Sequence, residues 1–305
     1  MILVTGGCGF IGAALVRRLL AEEQRVLVVD NFHSGGPDRL PHHSGLEVVE
    51  ADVRDGNRIR EVFRRSRPAE VIHLAALHFI PYCDEHPLET LGVNGEGTRN
   101  VIEAGVLTGV SRVLFTSSAA IYPISNGPSP ETTQAGPADI YGYSKWMAEA
   151  ILELSCRANQ LAGVALRLFN TYGPGETNPH VIPRIIEQIK ARVPIHLGNL
   201  ESRRDYIFIE DTVEAIVRLR ADRTQGYSVY NVGTGSTHSV REIVGVFEDL
   251  LGRALDVRSD PDLVRRIDRP NLCADATALE SHIHWKPGTT LREGISKLLE
   301  NEGLL

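Results

Sequence analysis

Met1-Ile2-Leu3-Val4-Thr5-Gly6-Gly7-Cys8-Gly9-Phe10-Ile11-Gly12 opens the chain with a short apolar run, a glycine-rich turn and the start of an amphipathic stretch. Gly6, Gly9 and Gly12 satisfy GxxGxxG, and Gly7, Gly9 and Gly12 satisfy GxGxxG. A turn of this kind needs glycine where the backbone takes unusual dihedrals, where a pyrophosphate approaches it closely and where the helix packs tightly on the strand. The helix N-terminus then offers its unpaired N–H groups to that phosphate. Glycines alone are a weak signal, but here a strand precedes them, a helix follows, and Asp30 ends the next apolar run 18 residues beyond Gly12. Asp30 is expected to accept hydrogen bonds from both hydroxyls of an adenosine ribose and to repel a 2′-phosphate, which selects NAD over NADP. Asp52, ending the third run, reads equally as a group reaching the adenine amine and as a solvated strand-end acid.

Outward from this turn, apolar runs at 1–5, 25–30, 46–52, 69–76 and 111–118 alternate with helical spacing at 10–22, 55–66 and 88–108. That order predicts an α/β fold, a Rossmann-type doubly wound parallel sheet. After a further run at 163–170 the texture turns to Gly, Pro and Asn, and the alternation stops. The run at 227–233 reads as a late strand returning to the sheet. The expected organisation is therefore an NAD-binding domain over 1–168 plus 205–236, and a smaller, discontinuous α/β substrate lobe over 169–204 plus 237–305.

Composition narrows the class. At 42% hydrophobic and 23% charged residues the chain is globular rather than disordered, and a net charge of −7 gives no footprint for nucleic acid. Cys8, Cys83, Cys156 and Cys273 lie far apart, with no Cys/His cluster of zinc spacing, so no metal is expected. The start of the chain carries no basic leader, and no apolar run is long enough for a bilayer, which places the protein in the cytoplasm and off the membrane.

Tyr141-Gly142-Tyr143-Ser144-Lys145 sets a phenol and an ammonium at i and i+4, on one face of a helix. Turning a phenol into a base near neutral pH requires a shift of about three units, or ~4 kcal/mol, which a cation one turn away and a positive nicotinamide ring together can supply. Only four lysines occur in the chain, so a chance Tyr-x-x-x-Lys is expected roughly 0.1 times. Tyr143, with Met147 at i+4, reads as a packing residue.

The segments TGGCGFIG, VVDNFHSG, EADVRD, HLAAL, VNGEGTRNV, FTSSAAIY, YGYSK, LRLFNTYGPG, RRDYIFIEDT and YNVGTG together resemble the extended short-chain dehydrogenase/reductases of the sugar-nucleotide epimerase/dehydratase type. The resemblance, which spans nearly the whole chain, implies Ser118 as the hydroxyl that meets the reacting sugar oxygen, Tyr141 as acid/base, and Lys145 as the group that lowers its pKa and holds the nicotinamide ribose. It assigns Gly6, Gly9, Phe10, Ile11, Gly12, Asp30, Asn31, Ser34, Gly35, Asp52, Val53, Leu74, Ala75, Ala76 and Asn94 to NAD, with Tyr141 and Lys145. For the nucleotide-sugar it implies Asn170 and Arg204 at the diphosphate, His180 and Val181 at the base, and Phe79 near the sugar. Arg265 and Arg266 both stand near a second phosphate position, with Arg266 preferred. A homodimer through helices in the 88–108 and 139–159 regions is also implied.

Related dehydratases carry Asp-Glu just after the catalytic hydroxyl residue, whereas this chain has Ala119 and Ala120. The implied reaction is thus an NAD-dependent C4 epimerisation of a nucleotide-sugar, most simply a UDP-sugar, through a 4-keto intermediate. A 4-ketoreductase, a dehydrogenase or a dehydratase, or a non-catalytic NAD-binding regulator, are the alternatives. Pro123 after Tyr122, where the family usually has Gly, and the segment 77–83 depart from the family pattern and point to an unusual sugar.

Overall fold

Ile2–Thr5 (β1) leads through the glycine turn into Phe10–Ala21 (α1), and the pattern repeats with Val26–Asp30 (β2), Leu46–Glu50 (β3), Gly56–Ser66 (α2), Glu70–His73 (β4), Thr98–Thr108 (α3), Arg112–Ser118 (β5), Ile140–Ala158 (α4), Ala162–Leu168 (β6) and Tyr227–Val232 (β7). These elements come from a computed structural model that describes residues 1–222, 224–264 and 269–305. The sheet runs β7-β6-β5-β4-β1-β2-β3, so the chain winds outward from β1 in both directions. Every residue of β1, β2 and β5 is buried, as expected of parallel strands covered on both faces. The doubly wound parallel sheet expected from the strand and helix periodicities is the observed one.

Two compact units are present. The first comprises 1–123, 134–168 and 213–230, and the second comprises 124–133, 169–212 and 231–305. In the second, Arg203–Phe208 pairs antiparallel with Thr237–Ser239 and parallel with Asn271–Ala274 and Asn170–Tyr172. Its buried Asp205 accepts from the Thr234 amide and hydroxyl, the Gly235 amide and the Ala274 amide at 2.8, 2.7, 2.9 and 3.2 Å, so one carboxylate gathers three backbone segments. Two of its helices, Val240–Leu251 and Leu291–Asn301, begin with reciprocal Ser239/Glu242 and Thr290/Glu293 caps.

Two expected elements are broken. The run at 163–170 ends its first strand at Leu168, and Asn170–Tyr172 pairs instead with Arg203–Phe208. The helical stretch at 88–108 is interrupted by one wide turn, Gly92–Gly97, before α3 begins. The reason is Asn94, whose Oδ1 accepts from the Leu77 amide and whose Nδ2 donates to the Leu77 carbonyl, each at 2.8 Å. The widened turn lets this side chain satisfy backbone groups of the loop beyond β4.

Under α3 and α4 lies a buried row with one polar wire. The Ala75 amide donates to Thr5 Oγ1 at 3.2 Å, Thr5 Oγ1 meets His73 Nδ1 at 2.6 Å, His73 Nε2 meets Thr98 Oγ1 at 2.9 Å, and Thr98 donates to the Asn94 carbonyl at 2.6 Å. Because Thr98 spends its proton on Asn94, His73 donates through Nε2 and accepts at Nδ1. The imidazole is fully satisfied when neutral, and burial, aided by the Lys145 charge, depresses its pKa to about 3. The unfolded chain, with an ordinary value of 6.5, binds a proton that the folded chain refuses between these limits. Stability should therefore fall as pH drops from about 6.5 towards 3, by up to about 1.4 kcal/mol per pH unit from this group. Urea unfolding at pH 5 and 7 is expected to show this slope in the native protein and its loss in His73→Asn; equal slopes would refute it.

Candidate active site

The glycine turn is shaped by what it touches. Gly6 has φ +69°, and a Cβ there would sit 2.7 Å from the Ala75 amide nitrogen, so the turn lies directly against the segment Leu74–Ala76 that leaves β4. Gly12 faces back onto the turn, where a Cβ would collide with the Gly6 carbonyl oxygen. Gly9 caps α1, and Phe10 and Ile11 form its first residues. No acidic side chain stands in that first turn and no side chain caps it, so its amides keep their capacity for an anion.

Asp30 ends β2 beside this turn. Its Oδ2 accepts from the Cys8 amide at 2.9 Å and its Oδ1 from the Phe32 amide at 2.8 Å, and the Asn31 amide also donates to this carboxylate. Burial raises its pKa against these hydrogen bonds. Asn31, Ser34 and Gly35 follow in the loop after β2, with Asn31 and Ser34 exposed. Asp52 is occupied differently from the sequence expectation: Oδ1 accepts from the Arg54 amide and Nε at 2.8 and 3.0 Å, and Oδ2 from Arg54 Nη2 and Asn31 Nδ2 at 2.7 and 3.1 Å. Those four donors fill the carboxylate, and the Arg54 hydrogen bonds hold its pKa at about 2. Val53 beside it is buried. Asn94 likewise gives both its N–H groups to protein acceptors, the Leu77 carbonyl and Ser144 Oγ at 2.8 Å.

Ser118, the last residue of β5, accepts from the Ala120 amide at 3.1 Å, which leaves its own proton available, and its side chain lies near enough to the Tyr141 phenol to pull that group's pKa down. Tyr141 lies in the first turn of α4, whose start is capped by Asp139 accepting from the Gly142 amide at 2.7 Å. One turn on, Lys145 Nζ donates to the Thr116 carbonyl at 2.8 Å and rests 4.7 Å from the centre of the Phe115 ring. Sequence spacing anticipated a phenol made acidic by this lysine. The protein's own groups do the opposite: burial pushes the Tyr141 phenol well up, although Ser118 pulls it down, and burial brings Lys145 down to about 7. Desolvation is the largest influence on both groups.

Phe79 is half-buried at the start of a short helix, Ile80–Glu85, which the reading of 77–83 as a pocket segment did not anticipate. In the second unit, Asn170 opens its strand exposed, and His180 caps the helix Val181–Ala191 while pairing with Glu176. Arg204 Nη1 donates to the Arg203 and Arg269 carbonyls at 2.8 and 2.7 Å. Arg265 and Arg266 lie outside the described residues. His73, Ser144, Glu149 and Arg167 were not singled out from sequence; a histidine inside the apolar run VIHLAA was the one available signal.

A sequence model of the NAD dependent epimerase/dehydratase family matches residues 2–233. The chain belongs to that family. Among characterised members of the family, the UDP-glucose 4-epimerase of Erwinia amylovora is 31% identical over 98% of this chain and 96% of its own length. Of solved structures, the UDP-glucose 4-epimerase of Thermus thermophilus in complex with NAD superposes with a TM-score of 0.91 at 31% identity, covering 98% of this chain and 97% of the other. The Thermotoga maritima UDP-glucose 4-epimerase with UDP-glucose gives 0.91 at 28% identity, over 100% and 99%. Among the described residues of this family member, no helix is long and apolar enough to cross a membrane, and no group of metal-ligating side chains gathers.

The close fit at Gly12 supplies a test. Gly12→Ala should force α1 away from the glycine turn, destabilising the fold by about 1–3 kcal/mol and weakening dinucleotide binding together. Thermal melts with and without added NAD would read both effects, and a variant as stable and as responsive to NAD as the native protein would contradict the close packing.

Proposed function

We propose that this family member inverts C4 of a UDP-linked sugar through a transient 4-keto intermediate, using NAD held by the first unit. The supporting observation is the meeting of Ser118, at the end of β5, with Tyr141, whose pKa it lowers, and Lys145 one turn further along α4. Ala119 and Ala120, buried in the single turn after Ser118, provide no additional acid/base pair, which favours simple inversion over dehydration.

The residues present suit the cofactor. The uncapped first turn of α1 leaves its amides for a pyrophosphate, with Gly9, whose Cβ position meets only the Gly6 carbonyl oxygen, and Phe10 and Ile11 alongside it. The Asp30 carboxylate at the end of β2 suits ribose hydroxyls, with Asn31, Ser34 and Gly35 in the loop next to it. Val53, Leu74, Ala75 and Ala76 would line the dinucleotide. Asp52 and Asn94, whose side chains are engaged by protein groups, act by holding Asn31 and the Leu77 segment in place. NAD bound there would supply a hydride acceptor and donor for the sugar carbon and a positive charge near the phenol.

In the reaction Tyr141 takes the proton of the 4-hydroxyl and later gives it back. Ser118 holds the same sugar oxygen in line, and Lys145, anchored on the Thr116 carbonyl, stands one helical turn from the phenol to hold the nicotinamide ribose. Asn170 and Arg204 are assigned to the diphosphate, His180 and Val181 to the base, and Phe79 to the sugar.

Incubating the purified protein, without added cofactor, with a panel of nucleotide-sugars and following stereoisomers by NMR tests this directly. Interconversion of C4 epimers is expected, with Tyr141→Phe reducing kcat by about 10²–10⁴-fold while retaining NAD. Products that have lost water or carbon dioxide would overturn the epimerase reading.

The protein is further assigned to the cytoplasm, in keeping with four buried, unpaired thiols, and to a homodimer. The dimer is supported by apolar side chains left on the outer faces of α3 and α4, notably Leu107 at 70% and Leu154 at 63% exposure, with Trp146 between the ends of α4. Sedimentation should give a dimer for the native chain and a monomer for the Leu107→Glu/Leu154→Glu variant; a native monomer would refute this assembly.

A further inference from the structure

Arg167 joins the elements that carry the reacting groups. It stands on β6 opposite Ser117, one residue before the Ser118 level. Its Nε and Nη2 donate to Glu149 Oε1 and Oε2 at 3.0 and 2.8 Å. Its Nη1 donates to the Tyr122 hydroxyl at 3.0 Å, with the guanidinium 4.9 Å from the centre of that ring. All three side chains are buried: Arg167 is 7% exposed, Glu149 4% and Tyr122 0%. Glu149 belongs to α4, and Tyr122 ends the turn that begins at Ser118. One guanidinium therefore ties the strand and turn bearing Ser118 to the helix bearing Tyr141 and Lys145.

Tyr141, Lys145 and Glu149 recur at i, i+4 and i+8, so they share a face of α4, and four residues span about 6 Å of helix. Four other titratable groups face this part of the helix. His73 on β4 is kept neutral by burial, Cys83 in the helix Ile80–Glu85 is pushed up to about 11 by burial, and Tyr227 on β7, which interacts with Glu149, is pushed well up by burial. Asp139, at the N-terminus of α4, acts on Tyr141 and Cys83. Cys83 and Glu149 are the two groups that favour the Lys145 charge, and a neutral thiol contributes nothing near pH 7. Glu149 is left to do so. Burial works against the Arg167 charge, and the paired Glu149 carboxylate overcomes it.

We propose that Glu149, clamped by Arg167, which also donates to Tyr122, is a positioning residue that seats the Tyr141–Lys145 face of α4 against Ser118 and favours the Lys145 ammonium. The inference rests on the acid/base roles given to Tyr141 and Lys145 above. Removing the carboxylate takes away the favourable neighbour and leaves the Arg167 charge unbalanced nearby. Both changes drive the proton off Lys145, and Tyr141 then holds its own proton more tightly.

The test is the pH profile of kcat/KM in the NAD-bound protein, read beside the alkaline absorbance of tyrosinate, taken as the difference between each protein and its Tyr141→Phe counterpart. In Glu149→Gln the acid limb and the Tyr141 titration should both move up by at least about one pH unit. Tyr122→Phe, which cuts the tether without changing charge, should leave them in place. If Glu149→Gln does not fold, the volume-matched pair Glu149→Leu/Arg167→Met decides, because buried ion pairs are often replaced by apolar pairs without loss of fold; it too should move the Tyr141 titration upward. An unmoved titration in whichever variant folds overturns the proposal. The absorbance reading needs no turnover, so a protein without epimerase activity would sink the functional reading while leaving this one to be judged on its own.

Discussion

The constraint on which the first unit depends is the contact between the turn after β1 and the backbone leaving β4. Gly6 can take its positive φ against the Leu74–Ala75 backbone only because it carries no Cβ, and Gly12 then lets α1 close onto the same turn. With β1, β4 and β5 adjacent in the sheet, this contact brings the start of α1, the segment 74–76 and the end of β5 to one edge. The polar wire from Ala75 through Thr5, His73 and Thr98 to Asn94 reinforces it from beneath, fixing those neighbouring strands and the wide turn before α3 without placing a charge in the core.

Above that frame, burial rather than pairing governs the ionisable groups. A tyrosine and a lysine one turn apart are often described as a pair that makes the phenol acidic, yet here desolvation sends the phenol up and the ammonium down. The protein's contribution is placement: Ser118 stands beside the phenol and lowers its pKa, and Thr116 fixes the ammonium. On the same helix face, Glu149 is a charge that favours the Lys145 ammonium. An active site arranged this way is poised to react only when loaded, which suits a reaction in which the cofactor is oxidant and reductant in turn.

The same economy is visible at Asp52 and Asn94. Both were read as direct partners of the dinucleotide, and both are engaged by protein groups, Asp52 at all four acceptor positions and Asn94 at both donors. Each holds a loop, the one after β2 through Asn31 and the one after β4 through Leu77. Strand-end polar residues in such sheets can serve a ligand by fixing the backbone that touches it.

Local pattern was enough to reveal the sheet, its flanking helices, the glycine turn and the shared face of Tyr141 and Lys145, because periods of two and 3.6 residues and the steric needs of a tight turn are written in adjacent residues. The wide turn at Gly92–Gly97 and the break at Phe169 were not legible, since each answers to a partner far along the chain: Asn94 to Leu77, and Asn170–Tyr172 to Arg203–Phe208; nor was the short helix at Ile80–Glu85. Nor could spacing disclose His73, Glu149 and Arg167, whose roles exist only where β4, β6 and α4 converge in a medium without water. Sequence determined which groups are available; tertiary packing decided which of them keep a charge, because the cost of desolvation depends on the surroundings and not on the neighbours in the chain.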